Sequence, residues 1–238
     1  LGRIDNSPWA PPIAWVRAGD KLLPFVEAKQ PLKRRMLDGY LPVITLNTSI
    51  GDVSYEQTVF GWSEGMSVGK DLYAYVRLKL RASGAASLPE RITLCHRSDN
   101  SGVTWDLPAS KGGSAELCFR FRHPEPATAV LVSAEEFRAK RDEVAAHWRE
   151  RIKQAERFEV PDKRVNEAYR AWLVYSMLNA DTVNGYVEPH DGAGFYEENF
   201  GYSVTLHTMA LDMYGLHDYA ERILDALLHF QQPDGLYL

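Results

Sequence analysis

Cysteine is nearly absent: the 238 residues contain two, Cys95 and Cys118. That count excludes a disulfide framework and a cysteine-built metal site. Both fall in strand-like runs, where a thiol acts either as a small buried hydrophobe or as half of a cross-strand disulfide. Long apolar runs are also missing, so no segment reads as a bilayer-spanning helix and no membrane is expected as a partner. Positive charge is in deficit, with 27 Lys and Arg against 32 Asp and Glu and a net charge of −5. Such a balance, without a basic stripe interleaved with aromatics, excludes a nucleic-acid backbone as partner. The oxygens of Asp181, Asn184, Glu188 and Asp191 lack the spacing of a calcium loop, and neither a metal nor a cofactor is expected. An initial methionine and a signal-peptide pattern are missing as well. The chain therefore reads as a fragment whose ends do not report a compartment.

Aromatic residues, in contrast, make up 11% of the sequence, with six Trp and twelve Tyr. The first half reads as antiparallel strands. Pro8, Pro11 and Pro12 keep the start extended. Short strand-like runs follow at 13–16, 22–26, 41–46 and 53–60, separated by turns such as Gly19-Asp20 and Gly51-Asp52. Alternation is cleanest further on. Leu72, Ala74, Val76, Leu78 and Leu80 share one face, and Tyr73, Tyr75, Arg77, Lys79 and Arg81 the other. Ile92, Leu94 and His96 oppose Arg91, Thr93 and Cys95, and Leu117, Phe119 and Phe121 oppose Cys118, Arg120 and Arg122. Period two with one polar face predicts sheets packed on one side, hence a β-sandwich over residues 1–132. Arg77, Lys79, Arg81, Arg120 and Arg122 then form a solvated outer face or a site for an anion.

Helical spacing takes over at Ser133. Ser133-x-x-Glu136 has the form of a capping box, and Phe137, Val144, Trp148 and Ile152 recur as a narrow apolar stripe among charges of both signs. Residues 133–160 therefore read as a linker helix, ended by Val160-Pro161. Asp162 can cap the next helix, with an apolar face of Val165, Ala168, Trp172, Leu173, Tyr175 and Met177. A glycine-rich loop follows from Asn184 to Gly201. A further helix carries Leu206, Met209, Ala210 and Met213 and ends at Gly215; the last carries Tyr219, Ile223, Leu227 and Phe230.

The loop concentrates the polar chemistry: Tyr186, His190, Asp191, Tyr196, Glu197, Glu198 and then Tyr202 at the helix start. Adjacent carboxylates suit a helix N-terminus and also hydrolytic chemistry, which needs one protonated acid and one carboxylate. Tyr186, Phe195, Tyr196 and Tyr202 offer faces on which sugar C–H groups stack, or else they pack between helices. His190 and Asp191 either bond a sugar hydroxyl or stabilise the loop. His207 reads as packing against an outer layer.

This order of elements resembles the six-hairpin glycosidases. The resemblance is carried by Phe158-x-Val160-Pro161-Asp162-x-x-Val165-Asn166, Tyr55-x-Gln57-x-x-Phe60, Gly194-Phe195-Tyr196-Glu197-Glu198-x-Phe200-Gly201, Met209-Ala210-Leu211-x-x-x-Gly215 and Gln231-x-x-Asp234-Gly235. It implies a multi-domain β plus α chain: the antiparallel β-sandwich, the linker helix, and over 161–238 the first helices of an (α/α)6 toroid. It further implies a glycoside hydrolase, acting by inversion, on an oligosaccharide or glycoside. A phosphorylase, a polysaccharide lyase or a non-catalytic carbohydrate-binding or assembly protein shares the fold. In such a family most catalytic groups lie in later hairpins, supplied by the same protein or another chain. Glu197 and Glu198 are then substrate-binding, and Glu198 is the candidate for a catalytic role.

Overall fold

The computed structural model describes residues 14–18, 21–23, 33–96, 102–107, 113–123, 125–190 and 201–236. Twelve strands and four α-helices are present among them: an antiparallel β region followed by helices. The described residues fall into two compact units. A β unit holds those within Pro12–Leu37 and Leu41–His147, and a helical unit holds Asp38–Tyr40 and the chain from Trp148 onward.

In the β unit, β1 (Ala14–Ala18), β2 (Lys21–Leu23), β7 (Arg91–His96) and β8 (Gly102–Asp106) form a four-stranded sheet in the order β2-β1-β7-β8. A six-stranded sheet has the order β10-β9-β6-β5-β4-β3. Its strands are β3 (Lys33–Leu37), β4 (Leu41–Ile50), β5 (Val53–Trp62), β6 (Tyr73–Ala82), β9 (Ser114–Arg122) and β10 (Val130–Leu131). Period two decides which side chains go inward. Val76, Leu78 and Leu80 of β6 and Phe119 and Phe121 of β9 meet Ile92 and Leu94 of β7 in one apolar cluster, with Trp105 of β8 packed against it. Leu72 departs from the expected inward row; it is 47% exposed, because the strand begins one residue later. The margins of this sheet are a strand with exposed Lys33, Arg34 and Arg35 and the two-residue β10.

The opposite face of the six-stranded sheet is not wholly solvated. Helix α1 (Ala134–Ile152) lies against one end of it, and the division between the units falls within α1, after His147. Phe137 is fully buried and meets the Phe60 ring edge-on at 5.1 Å. The Tyr75 hydroxyl donates to Glu136 (3.1 Å), the Trp62 indole N–H donates to Glu143 (2.7 Å), and the Lys140 ammonium sits 4.1 Å from the Trp62 ring. Burial, with help from Glu136, pushes the Tyr75 hydroxyl well above its usual range. Burial alone would raise the Glu143 carboxyl, but hydrogen bonds from Lys140 and Trp62 outweigh it and hold the group low. Only half of the predicted capping box forms. The Glu136 N–H donates to Ser133 Oγ (3.0 Å), while the Glu136 carboxylate is engaged by Tyr75 and Arg120.

Cys118 is a free, buried thiol. Burial pushes it up to about 11 from an ordinary 9.0. An unfolded chain ionises this thiol first, so the folded state loses stability as pH rises from near 9 toward 11. At pH 8, Cys118 should label with a maleimide far more slowly than a free thiol and catch up in denaturant, as read by peptide mass mapping. Equal rates in both conditions would show that the thiol is accessible.

In the helical unit, α2 (Lys163–Leu178) starts at Asp162, whose carboxylate accepts the Arg164 N–H (2.9 Å) as the sequence predicts. Two differences follow. First, residues 180–189 are not loop. They form a hairpin of β11 (Ala180–Val183) and β12 (Tyr186–Pro189) closed by Asn184-Gly185, both at positive φ, the two-residue turn that matches strand twist. Second, the helix faces differ from those expected. In α3 (Gly201–Met213) the buried residues are Val204, Thr208 and Leu211, while Leu206, Met209 and Met213 are 48%, 55% and 79% exposed. The helix is apolar on more than one side, so hydrophobicity alone does not choose the buried face. In α2, Leu173, Val174, Ser176 and Met177 are buried, whereas Val165 and Tyr175 are exposed.

Helix α3 turns into α4 (His217–Phe230) through a Schellman closure. Gly215, at φ +79°, donates to Asp212 O (3.0 Å), and the Leu216 N–H reaches back to Leu211 O (3.0 Å). Leu211, Leu216, Ala220 and Ile223 join Leu173, Val187 and Val204 in the apolar core of this unit. His217 bonds Asp212 (2.6 Å), which raises its imidazole. Burial raises the hydroxyls of Tyr169 and Tyr219.

Candidate functional site

The helical unit contains a small cavity of about 140 Å³ between α2, the end of β12 and the start of α3. From α2 come Trp172, Tyr175 and Ser176, and from its C-cap Asn179, spaced so that one face presents all four. Ser203, Val204 and His207 come from the first turns of α3, and Pro189 and His190 close the side where the hairpin returns.

Local backbone chemistry fixes this arrangement. Asn179 caps α2, and its side-chain amide donates to the His190 carbonyl, while the His190 N–H donates to the Asn179 carbonyl (2.9 Å). This reciprocal pair continues the β11–β12 register by one step past Ala180–Pro189. It ties the end of the hairpin to the end of the helix and sets where the imidazole lies. The ring of His190 is largely buried, with Nε2 3.3 Å from a carboxylate oxygen of Asp181. That separation is not matched by hydrogen-bond geometry, and neither ring nitrogen has a hydrogen-bond partner among the described residues. Ser176 is 1% exposed, and its hydroxyl is likewise without a partner there. The indole of Trp172 is packed by Tyr214 edge-on at 4.9 Å and lies 6.5 Å from the His207 ring.

Buried polar groups in native structures are nearly always hydrogen-bonded, and leaving a hydroxyl unpaired costs about 1–3 kcal/mol. Here Ser176 and His190 supply unused hydrogen-bonding capacity beside a flat aromatic face, and none of the nine lining residues is a Lys, Arg, Asp or Glu. The chemistry suits a neutral, hydroxylated ligand. The volume suits part of one ring rather than a whole oligomer, since drug-sized sites run to about 300–1,000 Å³.

Of the residues expected at the site, His190 lines the cavity. Tyr186 stacks on His229 at 4.0 Å and meets Phe230 edge-on at 6.0 Å, which places it in packing against α4. Tyr202 is 80% exposed, and Ser203 beside it faces the cavity instead. Asp191, Tyr196, Glu197 and Glu198 lie outside the described residues. Trp172, Ser176, Asn179 and His207 were not singled out as site residues from the sequence. The available signal was a polar Ser and Asn four and seven residues after a Trp inside an apolar helix. No group of three or more His, Cys, Asp or Glu with metal-binding geometry occurs among the described residues. Comparison with models of known families, with characterised proteins and with solved structures gives no match.

Proposed function

We propose that the chain is the β-sandwich and opening helices of a carbohydrate-active protein of the six-hairpin glycosidase type, and that it takes part in glycoside hydrolysis. The observation that carries this reading is the cavity, which the Trp172 ring lines together with the Ser176 hydroxyl and the His190 imidazole, both without a hydrogen-bond partner among the described residues. Aromatic faces take sugar C–H surfaces, and hydroxyl and imidazole groups bond sugar hydroxyls. The architecture supports the reading too: two antiparallel sheets share one apolar cluster, and helices α2, α3 and α4 follow in order. On this proposal the carboxylates Glu197 and Glu198, which follow His190 in the sequence, bind the substrate. Hydrolysis then requires one carboxylic acid at the leaving oxygen and another carboxylate to activate water. Further hairpins, of the same protein or another chain, would supply most of these groups.

The test is a panel of glycosides assayed with the protein in its full-length form, with and without inorganic phosphate. Phosphate-independent release of sugar supports hydrolysis, and strict phosphate dependence replaces it with phosphorolysis. Glu198→Gln is expected to raise KM and lower kcat. Unchanged kinetics in both the Glu197→Gln and Glu198→Gln proteins would take this segment out of the active site.

A further inference from the structure

The half of the six-stranded sheet face beyond α1 carries a solvent-open groove of about 850 Å³, lined from five neighbouring strands. The register makes its floor regular. Lys33, Asn47, Glu56, Lys79 and Glu116 face one another in succession across β3, β4, β5, β6 and β9. The adjacent row runs Ser49, Ser54, Arg81 and Ser114. All point to the same side of the sheet, because pairing partners share a face. With strands about 4.8 Å apart, the first row spans roughly 19 Å.

The charges are unevenly committed. Glu56 is shared by Arg77 (3.2 Å) and Arg35 (3.6 Å), and Glu116 is paired with Lys79 (3.7 Å). Arg81 has no carboxylate partner among the described residues; its neighbours across the strands are Ser54 and Ser114. Three cations (Lys33, Lys79 and Arg81) thus line the groove with two carboxylates (Glu56 and Glu116), a small local positive excess on a chain whose net charge is −5.

We propose that this groove binds an acidic oligosaccharide, with a uronate carboxylate on Arg81 and sugar hydroxyls on the serine, asparagine and glutamate side chains around it. A guanidinium takes a carboxylate through paired N–H donors. The glutamates decide among polyanions. A chain that is anionic throughout and carries no hydroxyl donors, such as polyphosphate, has nothing to offer Glu56 and Glu116 in the same row and is repelled. An acidic sugar offers several hydroxyl donors for each carboxylate, and those glutamates accept them. The groove belongs to the β unit and does not depend on the cavity reading.

Isothermal titration of the chain with tetragalacturonate at low salt is expected to give saturable binding that weakens in 0.5 M NaCl. Maltotetraose is expected to bind at least about tenfold more weakly. Arg81→Gln should cost about 10-fold to 100-fold in tetragalacturonate affinity, the range for losing a charge-assisted contact. Arg91→Gln, which removes a cation paired with Asp106 on the other sheet, should leave that affinity unchanged. Amide shifts of Ser49, Ser54 and Ser114 in the unmodified chain give a readout that no variant's folding can obscure. The proposal is overturned by no binding, by equal affinity for polyphosphate, by unmoved serine amides, or by an Arg81→Gln protein that binds normally.

Discussion

Phe137→Ala is expected to destabilise the β unit by about 3–5 kcal/mol, the range for deleting a fully buried aromatic ring. Phe137 is 0% exposed and joins α1 to the sheet through Phe60, while the Arg77 guanidinium lies over its ring, 5.5 Å from the centroid. Removing the ring leaves a void that Phe60 and Tyr75, themselves stacked at 5.4 Å, are poorly placed to fill. The same step exposes an arginine whose Nε already lacks a partner. A urea titration should show the midpoint falling sharply with an unchanged slope. A loss below about 1 kcal/mol would mean that the helix is dispensable to the sheet.

Ser176→Ala is expected to act in opposite directions on fold and ligand. Without ligand, the buried hydroxyl has no partner, so its removal should leave stability unchanged or raise it by up to about 1 kcal/mol. With part of a neutral sugar ring in the cavity, the same change removes a hydrogen bond and should weaken binding about fivefold to tenfold. Trp172→Ala should weaken it further, by about 30-fold or more, as buried Trp anchors do in other interfaces. Its packing on Tyr214 makes Trp172→Phe the necessary companion, because phenylalanine keeps an aromatic face in that position. Binding is read by the fluorescence change on titration for the serine variant and by calorimetry for both tryptophan variants. A serine variant that loses stability, or binding that survives in all three, would show that the cavity is a packing defect and not a site.

The strands were legible because β6 and β9 bury alternate residues against a single apolar cluster, so that Val76, Leu78, Leu80, Phe119 and Phe121 announce their own face. Single-residue end signals held as well. Ser133, Asp162 and Gly215 each act through local backbone geometry that needs no tertiary context. Faces of helices were harder to read. Helix α3 has apolar residues at Val204, Leu206, Met209, Leu211 and Met213, and only the neighbouring α2 and α4 select which of these go inside. The β11–β12 hairpin had its Asn184-Gly185 signal in plain sight, but four-residue strands are too short for alternation to show. The cavity was hidden for a related reason. Trp172 and Tyr175 look like core residues in a helix pattern, and the end of the hairpin reaches Asn179 through hydrogen bonds that depend on the tertiary fold.

Open sheets carry a risk at their margins, where unpaired N–H and C=O groups can recruit a strand from a neighbouring molecule and seed fibrils. The six-stranded sheet meets that risk differently at its two sides. At β3 three consecutive basic side chains, Lys33, Arg34 and Arg35, stand exposed, so a second copy approaching edge to edge brings like charge against like charge. At β10 there are only two residues to pair with, although both, Val130 and Leu131, are apolar and exposed. Polymerisation through this sheet is therefore held off by electrostatic repulsion on one side and by brevity on the other. Neutralising the three cations would leave the first side unguarded.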